Sequence, residues 1–109
     1  MPALIVFCTC PDEASAGALS QALVERRLAA CVTRLPGAVS VYRWQDAIER
    51  GNEVLLLIKT TSDRFTALRD AVVSLHPYEL PELIAVEAVA GLDRYLNWIG
   101  ESTSPLPDA

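Results

Sequence analysis

Apolar positions follow two periodicities along this chain, continuous runs and stripes that recur every three to four residues. Residues 4–10 are apolar on both parities, with Leu4, Val6, Cys8 and Cys10 pointing one way and Ile5, Phe7 and Thr9 the other. Such a run reads as a strand buried on both faces. Pro11, Asp12 and Glu13 then mark a helix start, the acids lying where the helix dipole favours them. That helix is expected to reach about Arg27, with Ala16, Leu19, Ala22, Leu23 and Arg26 on its inner face. Residues 28–32 resume as a strand, which Pro36-Gly37 interrupts with a bulge or bend. Residues 38–48 alternate, and the pattern assigns Tyr42, Trp44 and Ile48 to one face and Arg43 and Gln45 to the other. Residues 49–52 (ERGN) supply the expected turn, and 54–58 return as an apolar strand, closing a long hairpin.

Thr61 or Ser62 can cap a second helix, in which Phe65, Leu68, Val72 and Leu75 form the inner stripe. It should stop at His76, because Pro77 disfavours helical geometry in the residue before it. The stretch HPYELP makes a rigid polar corner that feeds an apolar strand over 83–89. Gly91 breaks that strand, and Leu92, Tyr95, Leu96 and Ile99 mark a short last helix. From Glu101 the tail reads as disordered, which leaves one domain over residues 1–100. The order βαββαβ plus a C-terminal helix is the ferredoxin-like split βαβ arrangement, an α+β fold with both main helices on one face of an antiparallel sheet. Strands of such a lone domain should alternate apolar with polar, yet three of these are apolar on both faces. Other copies of the chain are the simplest cover, so an obligate homo-oligomer is expected.

Composition narrows the classes of partner. The chain has 109 residues, with 9 basic against 14 acidic side chains and a net charge of −5. That excess of acids argues against a nucleic-acid partner. No basic leader or bilayer-length apolar run precedes or interrupts the pattern, so no signal peptide or membrane segment is expected. Three cysteines, two of them only two residues apart, fit reduced thiols in a reducing compartment.

Candidate chemistry gathers at the corner. His76, the only histidine, stands with Glu79 and Glu82 as nitrogen and oxygen donors suited to Zn(II), Cu(II) or Ni(II). The competing reading has His76 hydrogen-bonding the free carbonyls of the preceding helix end while Glu82 stays solvated. Cys8 and Cys10 share one face of a strand, where a C-x-C pair either holds a soft ion such as Cu(I) or simply fills a tight core. Cys31 has the same core alternative. Tyr42 and Trp44 fit cross-strand or interface packing. Lys59 is placed to meet an anionic ligand or to pair with a carboxylate. No glycine-rich phosphate loop follows any strand, and no Ser/His/Asp set is legible. A phosphohistidine role for His76 would want basic neighbours, and it has Pro77, Tyr78 and Glu79 instead.

The motifs together resemble the CutA divalent-cation tolerance family. They are Cys8-Thr9 with Pro11-Asp12-Glu13-Ala14, LAACV over 28–32, Pro36-Gly37, Tyr42-Arg43-Trp44, EVLLLIKT over 53–60, HPYELPELIA over 76–85, and Tyr95-Leu96 with Trp98-Ile99. The resemblance implies a PII-like, ferredoxin-like homotrimer in the cytoplasm, linked to copper(II) and other divalent cations, which it does not need for folding. It implies no enzymatic activity. It carries metal ligands onto Cys8 and His76, with Leu75 standing where the family has a second histidine and Glu79 or Glu82 left to complete the set. Its alternative is a PII-like signalling module that takes a small anionic ligand in clefts between subunits, lined by Cys31, Tyr42, Trp44, Lys59 and Tyr78. A third reading is an assembly scaffold in which the corner is purely structural.

Overall fold

The first strand to be made ends up inside the sheet. In the computed structural model, which describes residues 2–106, β1 (Ala3–Cys10), β2 (Cys31–Trp44), β3 (Ala47–Thr61) and β4 (Ile84–Glu87) form one sheet in the order β2-β3-β1-β4. Every ladder in it is antiparallel, which is the ferredoxin-like arrangement. Helices α1 (Glu13–Glu25), α2 (Phe65–Leu75) and α3 (Asp93–Thr103) complete the fold, with a single 3₁₀ turn at Ser62–Arg64 leading into α2.

Register divides each strand's side chains between two faces. Val6, Cys8 and Cys10 of β1 lie with Ile58, Leu56 and Val54 of β3, and all are buried against Leu19 and Leu23 of α1 and Leu68 and Val72 of α2. Each aliphatic side chain buried in this way contributes about 1.5–3 kcal/mol. The opposite face is apolar as well, and α3 meets it at its Ala3–Thr61 end, where Thr103 lies 3.5 Å from Thr61. Phe7 lies between Leu57 and Ile84, and Ile5 pairs with Val86. Ile84 is 60% exposed and Leu35, opposite Leu55, is 41% exposed. The surplus of apolar sheet expected from the pattern is present in the single chain.

Asp12 begins α1 by accepting the Ser15 N–H at 2.7 Å. The helix stops at Glu25 with Arg26 as its cap, and Arg27, at a left-handed φ of 58°, turns the chain out of it. From there the Arg27 guanidinium reaches α3, donating to the carbonyls of Ser104 at 2.6 Å and Glu101 at 2.7 Å. A cation at these helix-end carbonyls complements the negative end of the helix dipole.

Several expectations need correction. The hairpin turns at Gln45-Asp46, where both residues have positive φ, and Gly51-Asn52 lies within β3 opposite Val39 and Ser40. Two left-handed residues in succession make a primed hairpin turn, for which glycine or asparagine is the usual signal. Here those residues sit in the ladder and the turn lacks them. The shift moves Ile48 opposite Arg43, onto the face away from Tyr42 and Trp44. The bulge between Leu35 and Ala38 does fall at Pro36-Gly37, with Gly37 at φ 83°. Thr61 belongs to β3 and no side chain caps α2. Arg26 and Leu75 are exposed. The last strand is limited to Ile84–Glu87, because β1 offers partners only from Leu4 to Phe7.

The tail also differs from its expected course. Helix α3 runs on to Thr103, which is 1% exposed and bonds back to the Ile99 carbonyl at 2.8 Å. Serine and threonine read as loop residues in sequence, but a buried threonine that returns its hydroxyl to the preceding turn is compatible with helix. Residues 107–109, part of that tail, lie outside the described residues.

A cysteine and histidine corner beside an acidic cleft

Pro77 holds His76 in extended geometry (φ −76°, ψ 139°) at the end of α2, and this turns the imidazole towards the end of β1. The ring bonds neither of the helix-end carbonyls it was expected to cap. Its Nε2 donates to the Thr9 carbonyl at 2.7 Å, and its Nδ1 accepts the Tyr78 N–H at 3.0 Å. A carbonyl can only accept and an amide N–H can only donate, so these partners select the neutral Nε2–H tautomer. Cys10 Sγ lies 3.7 Å from the same Nε2. Among the described residues no buried side-chain polar atom lacks a partner.

Alternation along β1 brings Cys8 and Cys10 together beneath this ring. Donor atoms of Cys8, Cys10 and His76 all lie within 4.8 Å of one another, and all three residues are buried. The hydrogen bond between the thiols pushes Cys8 up, with burial adding to it, and it lowers Cys10. The negative charges of Glu82 and Glu53 also bear on Cys8 and oppose its ionisation. Two sulfurs and an imidazole suit a soft or borderline ion in kind and in spacing. Occupation would require the thiols to lose protons and His76 to release Thr9 or Tyr78.

A cleft of about 400 Å³ opens on the far side of Thr9, between the hairpin and the 76–82 corner. Tyr42, Trp44 and Tyr78 line it together with Glu53, Glu79 and Glu82. Glu53 is 9% exposed and accepts the Tyr78 hydroxyl at 3.0 Å. Burial, and then that hydrogen bond, push the Tyr78 phenol up to about 12.

A family model described as CutA1 divalent ion tolerance protein matches residues 4–102. The chain belongs to the CutA1 divalent ion tolerance family. It is 46% identical over 99 residues to the divalent-cation tolerance protein CutA of Thermus thermophilus, covering 91% of this chain and 96% of that one. It is 45% identical over 103 residues to human protein CutA, covering 94% of this chain and 58% of the human one. The crystal structure of CutA from Xylella fastidiosa superposes with a TM-score of 0.93 at 50% identity, over 95% of this chain and 100% of that one.

Within this CutA1-family fold the candidate residues divide into two groups. Cys8 and His76 come together as the resemblance implied, while Glu79 and Glu82 line the cleft and take no part in the Cys8/Cys10/His76 cluster. Tyr42, Trp44 and Tyr78 share that cleft, but Cys31 and Lys59 are outside its lining. Lys59 instead donates to Thr33 at 2.6 Å and approaches Cys31 Sγ at 3.9 Å. Leu75 is 40% exposed, whereas the Cys8/Cys10/His76 trio is buried. Cys10, weighed in sequence only with Cys8 as a C-x-C pair, joins His76 here, and Glu53 is the residue that sequence reasoning left out of the sites. Cys10 was visible as the same-face neighbour of Cys8. Glu53 was the lone acid at the head of an apolar strand, masked by its place beside an apparent turn.

Proposed function

We propose that this chain acts as a non-enzymatic homotrimer in the cytoplasm that binds a divalent or soft cation, copper above all, at the Cys8/Cys10/His76 corner. The convergence of two thiols and an imidazole within 4.8 Å carries this reading. Cys10 supplies the donor that Leu75 does not. The three carboxylates in the adjoining cleft raise the local concentration of cations. His76 uses both ring nitrogens for structure, so taking up a metal requires it to release one of those partners. Three unpaired cysteines agree with a reducing compartment. The uncovered apolar face around Phe7, Ile84 and Leu35 supports assembly, and the number three comes from the family resemblance.

Calorimetric titration of metal-free protein with Cu(II), and with Cu(I) under a competing chelator, tests the site. Cys8→Ser and His76→Ala should each weaken binding about tenfold or more. Millimolar binding that is the same in all three proteins removes the reading. Light scattering at micromolar concentration tests the assembly, and a folded species of 11.8 kDa overturns it.

A further inference from the structure

The acidic cleft is built for a ligand that the cysteine corner cannot take. Its carboxylates do not converge on one point. Among the described residues the only cluster with three metal-donor atoms within 4.8 Å of one another is Cys8/Cys10/His76. A bare divalent ion needs oxygens gathered at bonding distance around a single centre, and Glu53, Glu79 and Glu82 are spread over a cavity of about 400 Å³. That volume is the size of a small-molecule pocket.

Three aromatic side chains share the lining with Thr9, Ser40, Arg43 and Leu80. Tyr42 and Trp44 project from the hairpin, and Tyr78 faces them from the corner. Ring faces attract organic cations and also pack against methylene groups. Carboxylates that do not converge, in one lining with three aromatic rings, match a chain molecule carrying an amine at each end. Arg43 is the one cationic side chain in the lining, against three acids, so the cleft disfavours the small anion that the PII-like alternative would place there. Glu53 keeps its carboxylate at the floor through the Tyr78 hydroxyl, so this acceptor is already oriented.

We propose that this cleft binds an aliphatic diamine or polyamine, with ammonium groups on Glu53 and Glu82 and the methylene stem against Tyr42, Trp44 and Tyr78. The site is separate from the cysteine corner, on the other side of Thr9.

The chain has two tryptophans, so Trp98→Phe leaves Trp44 as a single fluorescent reporter within the cleft. Metal-free, assembled protein would be titrated with butane-1,4-diamine, and in parallel with butane-1,4-diol, succinate and Mg²⁺. The expected result is a saturable change in Trp44 emission with the diamine alone, weakened about tenfold by Glu82→Gln and unaffected by Cys8→Ser. Calorimetry on the unaltered chain repeats the measurement without the Trp98 substitution. An equal response to the diol, saturable binding of succinate, or diamine binding unchanged in Glu82→Gln overturns the proposal. So does a silent Trp44 that is shielded from a soluble quencher, since a second copy of the chain then fills the cleft.

Discussion

The Nε2–H of His76 is bonded to the carbonyl of Thr9 at 2.7 Å, across the gap between the end of α2 and the end of β1. This bond holds the 76–82 corner against the strand that carries both buried cysteines, and Thr9 also lines the acidic cleft. His76→Ala should destabilise the protein by about 2–4 kcal/mol, from a lost buried hydrogen bond and the space left behind. His76→Gln, whose amide can donate to Thr9, should recover part of that loss. Urea unfolding at one fixed protein concentration measures both. Equal stability of the alanine variant and the natural chain would show that the bond contributes nothing.

Arg27 combines a left-handed backbone (φ 58°) with two hydrogen bonds to the end of α3. Glycine relieves the backbone and loses the guanidinium, whereas alanine loses the guanidinium and keeps the strain. Arg27→Ala should therefore be less stable than Arg27→Gly by about 1 kcal/mol. Both should speed amide exchange around residues 101–104, which hydrogen exchange with mass spectrometry resolves. Arg27→Ala at or above Arg27→Gly in stability would contradict the assignment.

The Gln45-Asp46 turn asks two non-glycine residues to hold positive φ. Replacing the pair by Asn-Gly should stabilise the chain by roughly 1 kcal/mol, because those residues suit this turn type. Thermal unfolding gives the sign. A loss of stability would mean that the Gln45 or Asp46 side chain makes a contribution larger than the strain.

The Tyr78 phenol is pushed up from its ordinary 10.0 to about 12 by burial and then by its bond to Glu53. Between those values the unfolded chain releases a proton that the folded chain retains, so stability falls as pH rises. The contribution is full below pH 10 and is lost by about pH 12. Tyr78→Phe should remove this alkaline decline, as read from denaturant midpoints across that range. A variant with the same alkaline slope as the natural chain would place the effect elsewhere.

Much of the fold was legible because the strands are long and their apolar runs are pure. The double-sided apolarity of residues 4–10 marked β1 as a strand, and Pro77 located the end of α2. What misled was local chemistry overruled by tertiary context. Gly51-Asn52 looks like a turn, yet the register from Cys31 opposite Lys59 carries it into β3. Thr103 looks like loop, yet burial and Arg27 keep its turn helical. At the site, the resemblance named Cys8 and His76 as metal ligands, and the fold brings the two side chains near one another. The separation of Glu79 and Glu82 from that pair was invisible in sequence, since adjacency along HPYELPE says nothing of which side of Thr9 each carboxylate faces.

The place of β1 between β3 and β4 has a temporal consequence. Val6 pairs with Ile58 on one side and with Ala85 on the other. During translation that first apolar stretch must therefore wait, without either neighbour, until most of the chain has left the ribosome. Non-local closure of this kind slows folding and leaves hydrophobic segments open to capture meanwhile. A nascent chain halted before β3 should thus engage holding chaperones, and release from them should coincide with synthesis of the β3 strand.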